Sequence, residues 1–291
     1  MAQFIISAFA DEASADLDGQ IAALKRNGLC MIEPRSVNGN IVEKTDEELV
    51  QISKQLKDAG ILVSSLGSPI GKYSIDEPLE EHLKVFERAL TACKILGTNR
   101  MRIFSFFVPQ DRLSECRGEV MRRMRVLLDR AKEEGITLCH ENEAKIYGQN
   151  PAEVKDLLEE LPDMKGIFDA ANFVREGQDP IEGAEATLPS IEYLHIKDAK
   201  TNRAIVPVGM GDGQYAEVLS RVDALTDRTV ILTLEPHLHI FDAYKKIDSH
   251  KLENQITFDS ADEAFDCAVE HLKKLLTSLG FHEEENHVWK K

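Results

Sequence analysis

The sequence predicts an α/β protein built as a single closed (β/α)8 barrel, the TIM-barrel fold. Short β-rich runs alternate with longer amphipathic stretches along all 291 residues, and eight strand–helix units can be counted. The chain length suits this fold, which commonly needs roughly 250 residues. The turn after the first strand, residues 9–12, contains no glycine. That absence argues against a doubly wound open sheet with a nucleotide-binding turn.

Each predicted strand is a short apolar run, and each predicted helix carries apolar residues three or four positions apart. In the first helix, for example, Leu17, Ile21 and Leu24 share one face, and Gly28 ends it. The expected strands are 4–9, 31–33, 61–66, 100–105, 137–141, 166–169, 193–195 and 231–235. The expected helices are 17–27, 46–59, 79–96, 115–134, 151–160, 181–188, 214–225 and 261–279. We expect one barrel domain over residues 1–280 and a polar C-terminal tail, 281–291, that frays or packs on a neighbour.

Composition and charge favour a cytoplasmic protein that acts on small molecules. The net charge of −16 repels phosphate backbones, so nucleic acid is a poor candidate partner. No apolar stretch approaches the roughly 20 residues that span a bilayer, and the N-terminus lacks the basic region of a signal peptide. A homo-oligomer is left open. The scattered cysteines, without CxxC spacing, are expected to be reduced thiols: Cys30, Cys93, Cys116, Cys139 and Cys267.

Successive strands in the second half of the chain each end in a residue that can hold a metal ion. These residues are Glu141, Asp169, His195 and Glu235. In a (β/α)8 barrel the carboxyl ends of the strands meet at one mouth, and neighbouring strands lie roughly 4.8 Å apart. Three carboxylates and one imidazole suit one divalent metal ion such as Mn, Mg, Co or Zn. The alternative is that they are ordinary polar caps on strand ends.

The order and spacing of these strand ends resemble the xylose isomerase-like TIM barrel superfamily of sugar-phosphate isomerases and epimerases. The resembling segments are Leu138-Cys139-His140-Glu141-Asn142, Phe168-Asp169-Ala170-Ala171-Asn172, Tyr193-Leu194-His195-Ile196-Lys197-Asp198, Leu234-Glu235-Pro236 and the glycine loop Val208-Gly209-Met210-Gly211-Asp212-Gly213. The resemblance spans essentially the whole barrel. It implies that Glu141, Asp169, His195 and Glu235 bind the metal, and that Glu141 and Glu235 also form the acid/base pair.

The resemblance implies a metal-dependent sugar or sugar-phosphate isomerase or epimerase. Such an enzyme abstracts a proton next to a carbonyl, and the metal stabilises the resulting ene-diolate. Two alternatives stay open: a metal-dependent lyase or dehydratase acting on a keto-inositol or keto-sugar, and a non-catalytic sugar-binding barrel.

Two departures from relatives narrow the prediction. Ketose 3-epimerases of the superfamily carry a histidine where this chain has Asn172. The endonuclease IV branch binds three zinc ions and needs extra histidines at the ends of strands three and four. Residues 65–69 and 103–105 contain none. With the acidic surface, this makes DNA repair a poor candidate function.

Basic and polar residues after the strand ends are candidate substrate contacts. We expect a cationic ring around the mouth that favours an anionic or polyhydroxylated substrate. Lys197 shares its strand face with His195. Glu33 ends the second strand, as a substrate hydrogen-bonder or a structural acid near Arg35. Segment 237–258 is long for a βα loop and is predicted to be a lid or a subunit contact. The candidate substrate-binding residues are Arg35, Lys72, Arg102, Asn172, Lys197 and His237.

Overall fold

Parallel strands alternate with helices, as the sequence predicts, in a computed structural model that describes residues 1–239 and 256–291. The strands are β1 (Gln3–Ala8), β2 (Met31–Ile32), β3 (Leu62–Val63), β4 (Arg100–Ile103), β5 (Thr137–Glu141), β6 (Lys165–Asp169), β7 (Ile191–Ile196), β8 (Asp198–Ala199), β9 (Ile205–Val206), β10 (Thr229–Leu234), β11 (His282–Glu283) and β12 (Val288–Lys290). The helices are α1 (Leu17–Arg26), α2 (Asp46–Asp58), α3 (Leu79–Leu96), α4 (Leu113–Glu133), α5 (Pro151–Glu160), α6 (Ala170–Arg175), α7 (Pro180–Thr187), α8 (Tyr215–Leu225) and α9 (Ala261–Ser278).

The strands close into a barrel, which confirms the predicted fold class. Strands β4, β5, β6, β7, β10 and β1 pair in that order, all in parallel. Strands β2 and β3 pair with each other. A few backbone hydrogen bonds complete the ring. The Glu33 N–H donates to the Ala8 carbonyl at 3.0 Å, and Leu66 bridges to β4, donating to the Arg100 carbonyl at 2.9 Å and accepting from the Arg102 N–H at 3.0 Å. The barrel is therefore regular from β4 through β10 to β1 and thinly bonded around β2 and β3.

Local sequence signals set where the helices begin and end. Thr45 and Glu48 form a reciprocal capping box at the start of α2. Asn150 caps α5, and a proline follows it at the first helical position. Gly97 ends α3 in the left-handed conformation, with φ of 75°, which a residue without a Cβ adopts at little cost.

An apolar layer fills the barrel below its mouth. Ile5, Cys139, Ile167, Tyr193 and Ile231 form a buried cluster. Side chains two positions apart on a strand share a face, so the residues two positions later point to the same interior one layer higher. Polar residues at those later positions therefore lie directly above an apolar layer, at the carboxyl end of the strands.

The C-terminal tail, expected to fray or to pack on a neighbour, pairs instead with the first strand of its own barrel. β12 pairs antiparallel with the start of β1, where Phe4 lies opposite Trp289, and β11 pairs with β12. Trp289 is only 5% exposed, so its indole contributes to the core. The tail was read as polar because its single indole lies among charged residues. The division into domains at residue 280 stays a prediction.

Two further elements were not predicted: the short helix α6, which begins directly after β6, and the β8–β9 hairpin after β7. Most of the predicted lid or subunit contact over 237–258 falls on residues 240–255, which lie outside the described residues. Within the described ranges, no helix combines the length and apolar character needed to cross a bilayer.

Candidate metal centre

The four predicted ligands converge at the carboxyl end of the barrel. Glu141 and Asp169 are the last residues of β5 and β6, His195 is the penultimate residue of β7, and Glu235 directly follows β10. None of the four is more than 4% exposed. One potential ligand atom from each lies within 4.8 Å of the others. The structure thus brings together the residues that the sequence predicts, and their binding of a metal stays a prediction.

The residues present fit a divalent metal ion. His195 Nδ1 lies 3.1 Å from Glu141 Oε1 and 3.5 Å from Glu235 Oε2. A buried group of three carboxylates needs positive charge to offset it. Carboxylate oxygens with one imidazole nitrogen are ligands of hard or borderline divalent ions.

Local hydrogen bonds hold Asp169 in place. Asp169 is the N-cap of α6, where its Oδ1 accepts a hydrogen bond of 3.1 Å from the Asn172 N–H. The Asn142 side chain accepts from the Asp169 N–H at 3.0 Å and donates to the Asp169 carbonyl at 2.9 Å. One carboxylate oxygen is thus used by the helix, while Oδ2 lies 2.8 Å from Lys197 Nζ. The unpredicted helix α6 therefore has a positional role.

Among the described residues, three buried cations contact the predicted ligands. Besides Asp169, Lys197 Nζ approaches Glu235 Oε2 at 3.4 Å. Arg35 Nη1 donates to Glu235 Oε1 at 2.7 Å, and Arg102 Nη1 lies 3.3 Å from Glu141 Oε2. These contacts place three of the predicted substrate-binding residues against the predicted ligands.

The other three predicted substrate contacts also lie at the mouth. Asn172 Nδ2 is 3.4 Å from Glu141 Oε1. His237 Nε2 is 3.4 Å from Glu235 Oε1. Lys72 is at the rim, where its side chain is 21% exposed and its Nζ pairs with Glu143 Oε2 at 3.0 Å. None of these distances establishes a substrate contact, so that role stays a prediction for all six.

Over residues 1–239 and 256–291, the mouth is not the cationic ring that the sequence suggested. Arg35, Lys72, Arg102 and Lys197 each pair with at least one carboxylate. Among the described residues, the carboxylates around them outnumber the cations. The carboxylates are Asp11, Glu12, Glu33, Glu141, Glu143, Asp169 and Glu235. For these residues the expectation was wrong, because the acidic side chains at the strand ends neutralise the bases beside them as well as being candidate ligands.

Two acidic residues after β1 belong to the site and were missed. Asp11 and Glu12 lie in a 3-10 helix over Ala10–Glu12. Asp11 receives two hydrogen bonds of 3.0 Å from the Arg35 guanidinium. Glu12 Oε2 accepts from the His237 N–H at 2.7 Å. Their position directly after the first strand, at the same mouth, was the signal that could have identified them.

Glu33 lies beside His195, a contact that the sequence did not predict. Glu33 is fully buried, and its Oε2 lies 3.4 Å from His195 Nε2. Its other oxygen accepts a hydrogen bond of 2.9 Å from the Tyr193 hydroxyl. Glu33 thus has a defined neighbour among the predicted ligands.

The glycine loop over residues 208–213, which follows β9, is held by one carboxylate. Asp198 accepts hydrogen bonds from the N–H groups of Gly209, Gly211 and Gly213, at 2.9, 3.1 and 3.0 Å. A Cβ on Gly211 would come within 2.2 Å of Asp198 Oδ1. Glycine is therefore required at that position, and the loop is fixed at the mouth.

Burial and charge together shift the pKa values of the predicted ligands. Burial raises the pKa of Glu141, but His195 and Arg102 outweigh it and bring that pKa to about 2. Burial also raises the pKa of Glu235, and Lys197 and His237 outweigh it, so that pKa lies well below its usual value. Burial raises the pKa of Asp169 to about 7, against the opposing effect of Lys197. Glu141 and Glu235 are therefore ionised near neutral pH, the form that binds cations or accepts protons.

Solved structures share this fold at low sequence identity. The IolI protein with a bound zinc atom has a TM-score of 0.74 and 16% identity, over 94% of this chain and 99% of that one. A D-psicose 3-epimerase solved in the presence of D-fructose has a TM-score of 0.72 and 19% identity, over 95% and 99%. The probable 3-DHS dehydratase AsbF from Bacillus anthracis has a TM-score of 0.70 and 16% identity, over 94% and 98%.

A sequence comparison identifies the protein family. No curated protein sequence matches the chain significantly. The sequence profile of the xylose isomerase-like TIM barrel family, however, matches residues 21–275, which is most of the chain. This match confirms the resemblance found in the strand-end motifs. The chain belongs to the xylose isomerase-like TIM barrel family.

Proposed function

We propose that this protein is a metal-dependent isomerase or epimerase of a small sugar. The observation that carries the proposal is the pair of ionised carboxylates, Glu141 and Glu235. Glu141 ends β5 and Glu235 follows β10, the two strands that flank β6 and β7. Their carboxylate oxygens lie 3.1 and 3.5 Å from Nδ1 of His195. An isomerase or epimerase needs one group that removes a proton from carbon and a second group that returns a proton, and two carboxylates close together can supply both.

Glu141, Asp169, His195 and Glu235 would hold one divalent ion, with Mn, Mg, Co and Zn as the candidates. When bound, the ion would hold a carbonyl and an adjacent hydroxyl oxygen and offset the negative charge that develops on them. The zinc atom in the related IolI structure supports this assignment.

The acid/base steps belong to Glu141 and Glu235. One carboxylate takes the proton from the carbon next to the carbonyl, and the other returns a proton. Return to the opposite face of the same carbon gives an epimer, and return to the neighbouring carbon gives an isomer. The mouth around them is buried, so water competes less for the proton.

The charge of the mouth favours an uncharged sugar as the substrate. Its cations are paired with carboxylates, so in the described part of the chain they offer a phosphate group little net positive charge. Lys197, Arg102 and Asn172 lie against the proposed ligands and would hydrogen-bond the hydroxyls of a bound sugar. We therefore expect a free ketose to bind more tightly than its phosphate ester.

A dehydratase acting on a keto-inositol or keto-sugar is the second candidate. Asn172 favours it, because ketose 3-epimerases carry a histidine at that position. The likeness to the probable dehydratase AsbF points the same way. Such an enzyme would use the same bases but expel a hydroxyl group as water after the proton is removed.

One experiment separates these reactions. The purified protein is analysed for bound divalent metal, loaded with each candidate ion, and incubated with ketoses and inosones in deuterated water. An isomerase or epimerase introduces deuterium at carbon and otherwise conserves the atoms of the substrate in the NMR spectrum. A dehydratase produces an alkene or its keto form, one water lighter. Failure to bind any divalent metal under any condition would refute the proposal.

A further inference from the structure

His195 has a different neighbour at each ring nitrogen. Nδ1 faces the carboxylates of Glu141 and Glu235, at 3.1 and 3.5 Å. Nε2 faces Glu33 Oε2, at 3.4 Å. The ring itself is fully buried and packs edge-on against Phe9, with the ring centroids 5.1 Å apart. Its orientation is therefore set by packing as well as by charge.

This arrangement assigns the two nitrogens different roles. An ion held by Glu141, Asp169 and Glu235 would lie on the side of Nδ1, and a ring nitrogen that binds a metal carries no proton. The proton of His195 would then be on Nε2, which approaches Glu33 Oε2 at 3.4 Å, although neither atom makes a hydrogen bond among the described residues. The lone pair of neutral His195 then lies on Nδ1, on the side of the other predicted ligands.

Glu33 is itself held on its far side. Its Oε1 accepts a hydrogen bond of 2.9 Å from the Tyr193 hydroxyl, and that hydroxyl lies 3.0 Å from Ser65 Oγ. Tyr193 precedes His195 by two residues on β7, so both side chains point into the barrel. The carboxylate of Glu33 is thus fixed between two side chains of one strand.

We propose that Glu33 is a positioning residue for the metal site: its carboxylate keeps the proton of His195 on Nε2 and presents Nδ1 to the ion. This inference rests on the proposed function only for the presence of the metal. Outer carboxylates of this kind fix the tautomer and raise the basicity of a histidine ligand. This role stands beside the two that the sequence left open for Glu33, substrate contact and structural acid near Arg35, and the experiment below separates it from them.

The test compares metal affinity in three proteins without any sugar present. Glu33→Gln removes the negative charge next to His195 but keeps a side chain of the same size. Glu143→Gln is the matched control, because Glu143 is also a carboxylate of the mouth but pairs with Lys72. Dissociation constants for Mn²⁺ and Zn²⁺ are measured by competition with a chelator. We expect Glu33→Gln to weaken binding about 10–100-fold and Glu143→Gln to stay near wild type.

A spectroscopic readout reports the site directly. The visible absorption spectrum of the Co²⁺-loaded protein depends on ligand geometry, so it should change in Glu33→Gln and not in Glu143→Gln. If Glu33→Gln does not fold, Tyr193→Phe replaces it, since this change frees Glu33 Oε1 without removing the carboxylate. A several-fold loss of metal affinity is then expected.

Each contrary result has a distinct meaning. Equal losses in Glu33→Gln and Glu143→Gln would mean that only the charge of the mouth matters, and would overturn the positioning role. Unchanged metal affinity with a raised KM for sugar would make Glu33 a substrate contact instead. If the wild type binds metal but converts no sugar, the proposed reaction fails while the affinity comparison still decides the role of Glu33. If the wild type binds no metal, both proposals fail.

Discussion

The two halves of the barrel differ in regularity and in the chemistry at their strand ends. Strands β5, β6, β7 and β10 have five or six residues each and lead into the predicted ligands. In the other half, β1 is paired with β10 over six residues, but β2 and β3 have only two residues each. The loops after β1 and β2 supply Asp11, Glu12, Glu33 and Arg35, which contact the ligands or one another. We call β5, β6, β7 and β10 with the loops that follow them the ligand half, because they carry the predicted ligands. We call β1 to β4 with their loops the partner half, because they carry side chains that contact those ligands.

The difference suggests why the halves are built differently. A ligand must be placed within a fraction of an ångström, and a fully paired strand gives that precision. A partner with a long side chain needs less exact backbone placement. Arg35, in the loop after β2, reaches Glu235 at 2.7 Å, and Arg102 on β4 reaches Glu141 on the neighbouring strand β5 at 3.3 Å. We therefore expect substitutions in the ligand half to reduce turnover and metal binding most. Substitutions in the partner half should mainly lower the free energy of unfolding and change the metal affinity.

The largest effect is expected for Glu235→Gln in the ligand half. The substitution removes a proposed base and a proposed ligand, so turnover should fall about 10²–10⁴-fold from the base alone, with weaker metal binding. Metal content and turnover are measured separately. Glu192→Gln is the control, because Glu192 lies at the opposite end of β7 and pairs with Arg100 at 2.7 Å. Unchanged turnover, metal content and sugar affinity in Glu235→Gln would favour a non-catalytic sugar-binding barrel.

The next largest effect is expected for Arg35→Met in the partner half. Arg35 is 7% exposed and pairs with Asp11, Glu12 and Glu235, which would be left buried without it. Loss of one member of a buried ionic group typically costs about 3–5 kcal/mol. Urea unfolding of the metal-free protein measures this loss.

Arg26→Met provides the comparison for Arg35. Arg26 pairs with Asp262 and Asp266 on the surface, where its side chain is 41% exposed. Such exposed pairs contribute about 0–1 kcal/mol. Similar losses of unfolding free energy in both variants would show that the buried cluster has no special role in holding the partner half together.

The sequence predicted the ligand half better than the partner half for a physical reason. Ligands that end regular strands can be located by the two-residue alternation and by the order of the strands. The contact between Arg35 and Glu235 joins residues 200 positions apart, through a side chain whose direction local pattern does not determine. Asp11 and Glu12 were missed for the same reason, since their role depends on contacts with Arg35 and His237, which are distant in the sequence.

Helix α6 and the C-terminal tail show the same limit. Helix α6 was missed because its signal, Asp169, was read only as a ligand, although it also caps the helix. Trp289 lies among charged residues, and only pairing of β12 with β1 makes it part of the core. The eight strand–helix units were predictable because each depends on local periodicity, whereas these features depend on tertiary contact.

The smallest expected effect is a pH-dependent loss of stability at His82. This residue lies on α3 and hydrogen-bonds to the loop after β3, in the partner half. His82 is 5% exposed, and its Nε2 accepts a hydrogen bond of 2.9 Å from the Gly71 N–H, next to Lys72. Burial, with a contribution from Arg123, lowers its pKa to about 4. An unfolded histidine titrates near 6.5. The unfolded state therefore binds the proton first as the pH falls, and the native state loses stability between about pH 6.5 and pH 4.

The full loss from this one group is at most roughly 3 kcal/mol, and it is absent above pH 7. His82→Gln tests it, because the amide oxygen can still accept from Gly71 but does not titrate in this range. Unfolding free energies of both proteins are compared from pH 7.5 to pH 4.5. The wild type should lose more stability than His82→Gln over this interval, so the two curves converge toward low pH. Parallel curves would mean that the loop after β3 does not depend on a neutral His82, and that this part of the partner half is held by packing alone.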